Sequence, residues 1–287
     1  MRTAVTLIFL TLLATTATAA VHAKSETFLT SDNVTLHYFD AGSPQSPALV
    51  LIPGWTMPAD IFGPQINDLS KNFHVIALDP RSQGDSQKTP EGNYPERHAH
   101  DIDELLQHLH LTSAVLLGWS NGVPDVLTYV DKIGTAKLRG IILVDGFIDF
   151  SVPQMQKGLA GMLQSFQTDR PKFTDGFVRN MYSTKQTDEY IQHVKEAALK
   201  TPTNTAAVEM FNVLSLGDIT PILSKLDKPL LYIYEPYLES QAKLIQSKLP
   251  TACVEVFKTG HAIFVDDPDH FNKVVADFIN SLPPSTN

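Results

Sequence analysis

An α/β fold, a doubly wound and mostly parallel sheet with a helical cap inserted late in the chain, is what the sequence predicts. Three observations carry it. Short apolar runs without polar alternation recur at residues 48–52, 74–78, 113–117, 139–144, 229–234 and 254–257, the mark of strands buried on both faces. Helical patterns such as residues 99–110 and 241–249 stand between them, and strand–helix–strand order implies parallel pairing through right-handed crossovers. Between residues 147 and 222 no strand-like run occurs, while several helical stretches do.

Taken in order, the chain begins with Arg2, an apolar run over residues 4–13, and small residues ending in Ala17-Thr18-Ala19 and Val21-His22-Ala23. That pattern predicts a cleaved export signal over residues 1–23, with the remainder, 24–287, forming one domain in the periplasm or outside the cell. The apolar run is too short to span a bilayer comfortably, so no membrane span is expected in the mature protein. Residues 26–30 and 34–39, joined by Ser31-Asp32-Asn33, read as an edge hairpin. Cys253 is the sole cysteine, so an exported chain forms no internal disulfide and relies on its core. The net charge of −9 and the lack of any basic run exclude nucleic acid as a partner. The tail, residues 283–287, reads as disordered.

The strandless segment, about 147–222, is expected to cap the carboxyl ends of the strands, where ligands of such sheets bind. It carries Met155, Met162, Phe166, Phe177, Met181, Met210 and Phe211. Most of these should pack the cap's own core, and the rest should line an apolar substrate pocket.

The chemistry-bearing motif is Gly118-Trp119-Ser120-Asn121-Gly122, placed between an apolar strand and a helical stretch beginning near Val123. A hydroxyl becomes a useful nucleophile only when a base takes its proton and donors stabilise the oxyanion that forms. A sharp strand-to-helix elbow presents such a serine, and the flanking glycines let strand and helix approach. His261, in Thr259-Gly260-His261 after the last strand, stands where the base should be. The oxyanion donors expected are the backbone N–H groups of Asn121 and of Trp55, the latter aimed by a turn at Gly54. His98 and His100, with Asp101 and Asp103, resemble a metal cluster without enough ligands and are read as a solvated helix start. His108, His110, His193 and His270 are read as surface residues.

With these residues in view, the chain resembles the α/β-hydrolase superfamily, in the branch of small esterases, lactonases, haloalkane dehalogenases and cofactor-free haloperoxidase-like perhydrolases. The stretch Leu78-Asp79-Pro80-Arg81-Ser82-Gln83-Gly84-Asp85-Ser86 matches the family's D-x-R-G-x-G-x-S turn with Ser82 in place of a glycine. Lys228-Pro229 before a strand and Gly260-His261-Ala262 complete the likeness, while Pro53-Gly54 stands where many relatives have His-Gly. The resemblance implies a triad acid at one of two strand ends. The usual slot holds Leu238, with Glu239 one position late and Glu235 nearby, and the alternative slot holds Asp145, which is the assignment adopted. It also implies acyl transfer from a small-molecule ester or lactone to water, with no metal and no organic cofactor. A perhydrolase, or a catalytically silent ligand-binding protein on the same fold, is the alternative.

Overall fold

The computed structural model describes residues 23–283, the side chains of 154 and 155 excepted. The expected export signal therefore lies outside the described residues apart from Ala23, as does the tail beyond Pro283. The chain runs β1 (Lys24–Leu29), β2 (Thr35–Ala41), β3 (Ala48–Ile52), α1 (Gly63–Leu69), β4 (His74–Leu78), α2 (Pro95–His108), β5 (Ala114–Trp119), α3 (Gly122–Lys132) and β6 (Leu138–Val144). Four helices follow, α4 (Pro153–Thr168), α5 (Arg170–Asn180), α6 (Asp188–Lys200) and α7 (Thr203–Leu214). The chain then closes with β7 (Leu230–Tyr234), α8 (Glu239–Lys248), β8 (Cys253–Val256), α9 (Ile263–Asp266) and α10 (Pro268–Ser281).

Among the described residues, the eight strands form one sheet in the order β1-β2-β4-β3-β5-β6-β7-β8. β1 and β2 are the antiparallel edge, as the hairpin reading expects, and every pair from β4 to β8 is parallel. The winding reverses between β3 and β5, because β4 lies to one side of β3 and β6 lies beyond β5. That reversal opens a crevice at the carboxyl ends of β3 and β5, the place where an open α/β sheet receives a ligand.

Both faces of the sheet are apolar because alternate side chains of each strand point to opposite sides. Val50, Ile52, Leu116, Ile141, Leu143 and Tyr232 pack against Ile102, Leu105 and Leu106 of α2, Val126 and Leu127 of α3, and Ile245 of α8. Leu49, Leu51, Val115, Leu117, Ile142 and Ile233 pack against Ile66 of α1 and Phe271, Val275 and Ile279 of α10. Each fully buried aliphatic side chain contributes about 1.5–3 kcal/mol by leaving water.

The strandless segment is the cap, and it is held by two separate contacts. Val178, Met181, Ile191 and Val194, from α5, the turn after it and α6, join the core on the α10 side of the sheet. Phe166 of α4 and Ala206, Ala207 and Met210 of α7 instead enclose Trp55 in a smaller cluster over the crevice. Among the described residues no helix is long and apolar enough to cross a membrane.

Candidate active site

The turn from β5 into α3 is as tight as its glycines allow. A Cβ on Gly118 would sit 2.2 Å from the Gly122 carbonyl oxygen, and one on Gly122 would sit 2.5 Å from the Ile52 carbonyl oxygen. Between them Ser120 takes a left-handed φ of 55°, held by its N–H donating to the Val144 carbonyl at 2.9 Å. Strain of that kind persists only where the surroundings over-determine it. It lifts the hydroxyl out of the sheet into the crevice.

His261 arrives from the loop after β8. Gly260 is required there, because a Cβ would lie 2.6 Å from the Met181 carbonyl oxygen. The His261 carbonyl accepts the indole N–H of Trp119 at 2.9 Å, and the Trp119 ring lies against the imidazole at 5.1 Å between centroids. Its Nε2 stands 2.9 Å from Ser120 Oγ, and its Nδ1 stands 2.6 Å from Asp145 Oδ2.

Asp145 directly follows β6 with a left-handed φ of 47°, and its carboxylate is fully buried. The second oxygen accepts the Glu235 N–H at 2.7 Å. A carboxylate only accepts, so Nδ1 of His261 must donate, which leaves Nε2 free to accept from the serine hydroxyl. Of the other acids considered, Glu239 is exposed and pairs with Lys243 at 2.7 Å. Glu235 is half-buried, and burial, with the Asp145 charge second, raises its carboxyl above the ordinary value. Asp145, Glu235 and His261 bring one ligand-type atom each within 4.8 Å of one another. A cation held there would displace the hydrogen bonds that already occupy both Asp145 oxygens and His261 Nδ1.

Across the crevice, Gly54 lies so close to the elbow that a Cβ on it would meet the Ser120 Cβ at 2.9 Å. That close approach, rather than a left-handed turn, is what glycine provides; the left-handed residue of this loop is Thr56, at φ 62°. Among the described residues, neither the Trp55 nor the Asn121 N–H donates to a backbone carbonyl. A cavity of about 150 Å³ opens onto Trp55, Ser120, Asn121 and His261, walled by Phe147, Leu159, Met162, Phe177, Met210 and Val213. It is the size of a space that holds one benzene ring. Met162, Phe177 and Met210 of the cap thus face the site, whereas Phe166 and Met181 are buried in packing and Phe211 is 62% exposed.

One expectation is corrected. The start of α2 is not solvated: His98 is buried, its Nδ1–H donating to Asp125 Oδ2 at 3.0 Å, and Asp101 is buried against Arg81. Asp103 is also covered, beside Tyr129 and Lys137, and only His100 of the four is exposed. Burial works against charge on His98, but the Asp125 carboxylate overrides it and raises the imidazole to about 9. His108, His110, His193 and His270 are exposed, as expected. The family's missing glycine is replaced by Ser82 at φ 66°, whose hydroxyl donates to the Thr89 carbonyl and accepts the Thr89 N–H.

The residue that sequence reading missed is Glu209 of α7. It is 1% exposed, and its Oε1 accepts Asn121 Nδ2 at 3.0 Å and Gln83 Nε2 at 3.1 Å. Burial raises its carboxyl to about 7, with the His98 charge opposing. A signal was present: Ala206, Met210 and Val213 set the buried face of α7, and an acid at position 209 falls on that same face.

Comparison with known proteins bears on the fold and the family. Residues 47–268 match a family model described as the alpha/beta hydrolase fold. An AB hydrolase superfamily protein of Bacillus subtilis is 23% identical, over 88% of this chain and 98% of the relative. A non-heme chloroperoxidase of Kitasatospora aureofaciens is 23% identical over the same shares. An esterase of Exiguobacterium antarcticum superposes with a TM-score of 0.81 at 21% identity, over 90% of this chain and all of that one, a likeness of fold. With a strand–elbow–helix turn at Ser120 and a family match across most of its length, the chain belongs to the α/β-hydrolase family.

Proposed function

We propose that the protein is a serine hydrolase that transfers the acyl group of a small carboxylic ester or lactone to water. The observation that carries the reading is the unbroken line from Ser120 Oγ through the His261 ring to the buried Asp145 carboxylate. In the first step Nε2 of His261 takes the hydroxyl proton as Oγ bonds to the substrate carbonyl carbon. The oxygen that gains the charge sits between the Trp55 and Asn121 N–H groups, and Asp145 offsets the positive charge on the imidazole. Collapse expels the alcohol, which takes the proton from His261. Water then repeats the sequence on the acyl-enzyme. A serine nucleophile takes up the substrate's acyl group, whereas an aspartate nucleophile would take up an alkyl group on its own carboxylate, so alkyl-enzyme chemistry is not the one proposed.

Purified protein should hydrolyse p-nitrophenyl esters or simple lactones, and Ser120→Ala should lose that turnover. Wild-type activity in the variant would end the assignment. The relative named as a non-heme chloroperoxidase supports a second reading, in which hydrogen peroxide instead of water takes the acyl group. Halide oxidation that needs both acetate and peroxide would favour it. Export to the periplasm or medium, expected from residues 1–23, belongs to the same proposal. Appearance of the full chain only in the cytosolic fraction would overturn it.

A further inference from the structure

Trp55 and Asn121 follow different strands, β3 and β5, yet their side chains are tied to the same cap helix. The Trp55 indole N–H donates to the Ala206 carbonyl at 2.8 Å, and Asn121 Nδ2 donates to Glu209 Oε1 at 3.0 Å. Ala206 and Glu209 are three residues apart on α7, so they lie on one face of it. Gln83, from the loop after β4, joins the same carboxylate oxygen at 3.1 Å. All of these residues are buried, and Glu209 Oε2 has no hydrogen-bond partner among the described residues.

We infer that α7 is the template of the oxyanion hole, with Glu209 as its positioning residue. The inference rests on the serine-hydrolase reading, because it concerns the two residues whose N–H groups are given the oxyanion there. Neither residue is held by its own loop alone. The Trp55 loop is braced from above by the Ala206 carbonyl and by the packing of Phe166 and Met210. The Asn121 amide is braced by a buried acceptor oxygen, Glu209 Oε1, whose removal would leave a buried N–H without its partner. The cap thus does more than roof the cavity. It sets the spacing of two donors that work only when both point at one oxygen, and a misplacement of about 1 Å in such a site costs on the order of a hundredfold.

The test combines Glu209→Ala, Glu209→Gln and Trp55→Phe. The last keeps the backbone donor and most of the ring while removing the indole N–H. Each variant is read by kcat and KM on a p-nitrophenyl ester, by the rate at which a fluorophosphonate labels Ser120, and by thermal unfolding. We expect Glu209→Ala and Trp55→Phe to lower kcat and the labelling rate together by about tenfold or more, with KM little changed. Glu209→Gln, whose carbonyl still accepts from Asn121 and Gln83, should stay within about threefold of wild type. If Glu209→Ala does not fold, Trp55→Phe and Glu209→Gln decide. Wild-type kcat in Trp55→Phe or in a folded Glu209→Ala, or a loss of about tenfold or more in Glu209→Gln, overturns the inference while leaving the hydrolase reading intact. Failure of the wild-type protein to be labelled at Ser120 removes the hydrolase reading itself.

Discussion

Replacing Asp145 by asparagine changes one oxygen to an amide and nothing in volume, so the cost can be worked from the hydrogen bonds. The carboxylate accepts two N–H groups, from His261 Nδ1 at 2.6 Å and from the Glu235 backbone at 2.7 Å, and it is fully buried. Asparagine offers one acceptor and one donor. With its oxygen kept on the Glu235 N–H, its amide faces Nδ1, and the ring must move its proton to Nε2 to avoid donor against donor. Nε2 then donates to Ser120 Oγ and cannot take the hydroxyl proton. The same change of tautomer in a serine protease triad lowers kcat about 10⁴-fold, and we expect a loss of that order here, about 5.5 kcal/mol of barrier, with KM little altered. Steady-state hydrolysis of a p-nitrophenyl ester by Asp145→Asn measures it, with Glu239→Gln as the control expected within about twofold of wild type. If Asp145→Asn keeps more than about a tenth of kcat, the tautomer reasoning is refuted. If only the double variant with Glu235→Gln loses that residue of activity, Glu235 is the working acid.

Three further outcomes follow from the packing and the charges. Gly122→Ala puts a Cβ 2.5 Å from the Ile52 carbonyl oxygen, and it should destabilise the fold by about 1–3 kcal/mol and cut turnover; unchanged thermal unfolding would contradict the close approach. Met162 borders the 150 Å³ site cavity and a larger hollow of about 680 Å³ between α4 and α5, so Met162→Ala should join them and shift preference toward longer acyl chains; an unaltered chain-length profile contradicts this. His98 is raised to about 9 in the fold, so its contribution is fully present below about pH 6.5 and is lost as pH rises through about 9. The stability gap between wild type and His98→Gln, measured by urea unfolding, should therefore shrink by about 3 kcal/mol between about pH 6 and pH 10. A gap that does not change over that range would contradict the His98–Asp125 pairing.

Most of the sheet was legible because strands buried on both faces leave continuous apolar runs, and residues 48–52 and 74–78 match β3 and β4 at both ends. The elbow was legible because Gly118 and Gly122 answer to backbone contacts that no other residue type satisfies. The environment of α2 was not. His98 and Asp101 read as polar helix-start residues, and only the fold shows that Asp125 and Arg81 arrive from other elements to cover them. Glu209 escaped for the same reason, since its partners Asn121 and Gln83 are distant in sequence. Periodicity finds what faces the core of its own helix, and it is silent about which polar group another segment brings to it.

The central claim is that Ser120 is an activated nucleophile, and covalent labelling tests it most directly. Wild-type protein treated with a fluorophosphonate should gain one adduct per chain, located at Ser120 by peptide mass mapping, and Ser120→Ala should gain none. Ester turnover should disappear with the label. An adduct on another residue, or wild-type turnover in Ser120→Ala, would contradict the claim.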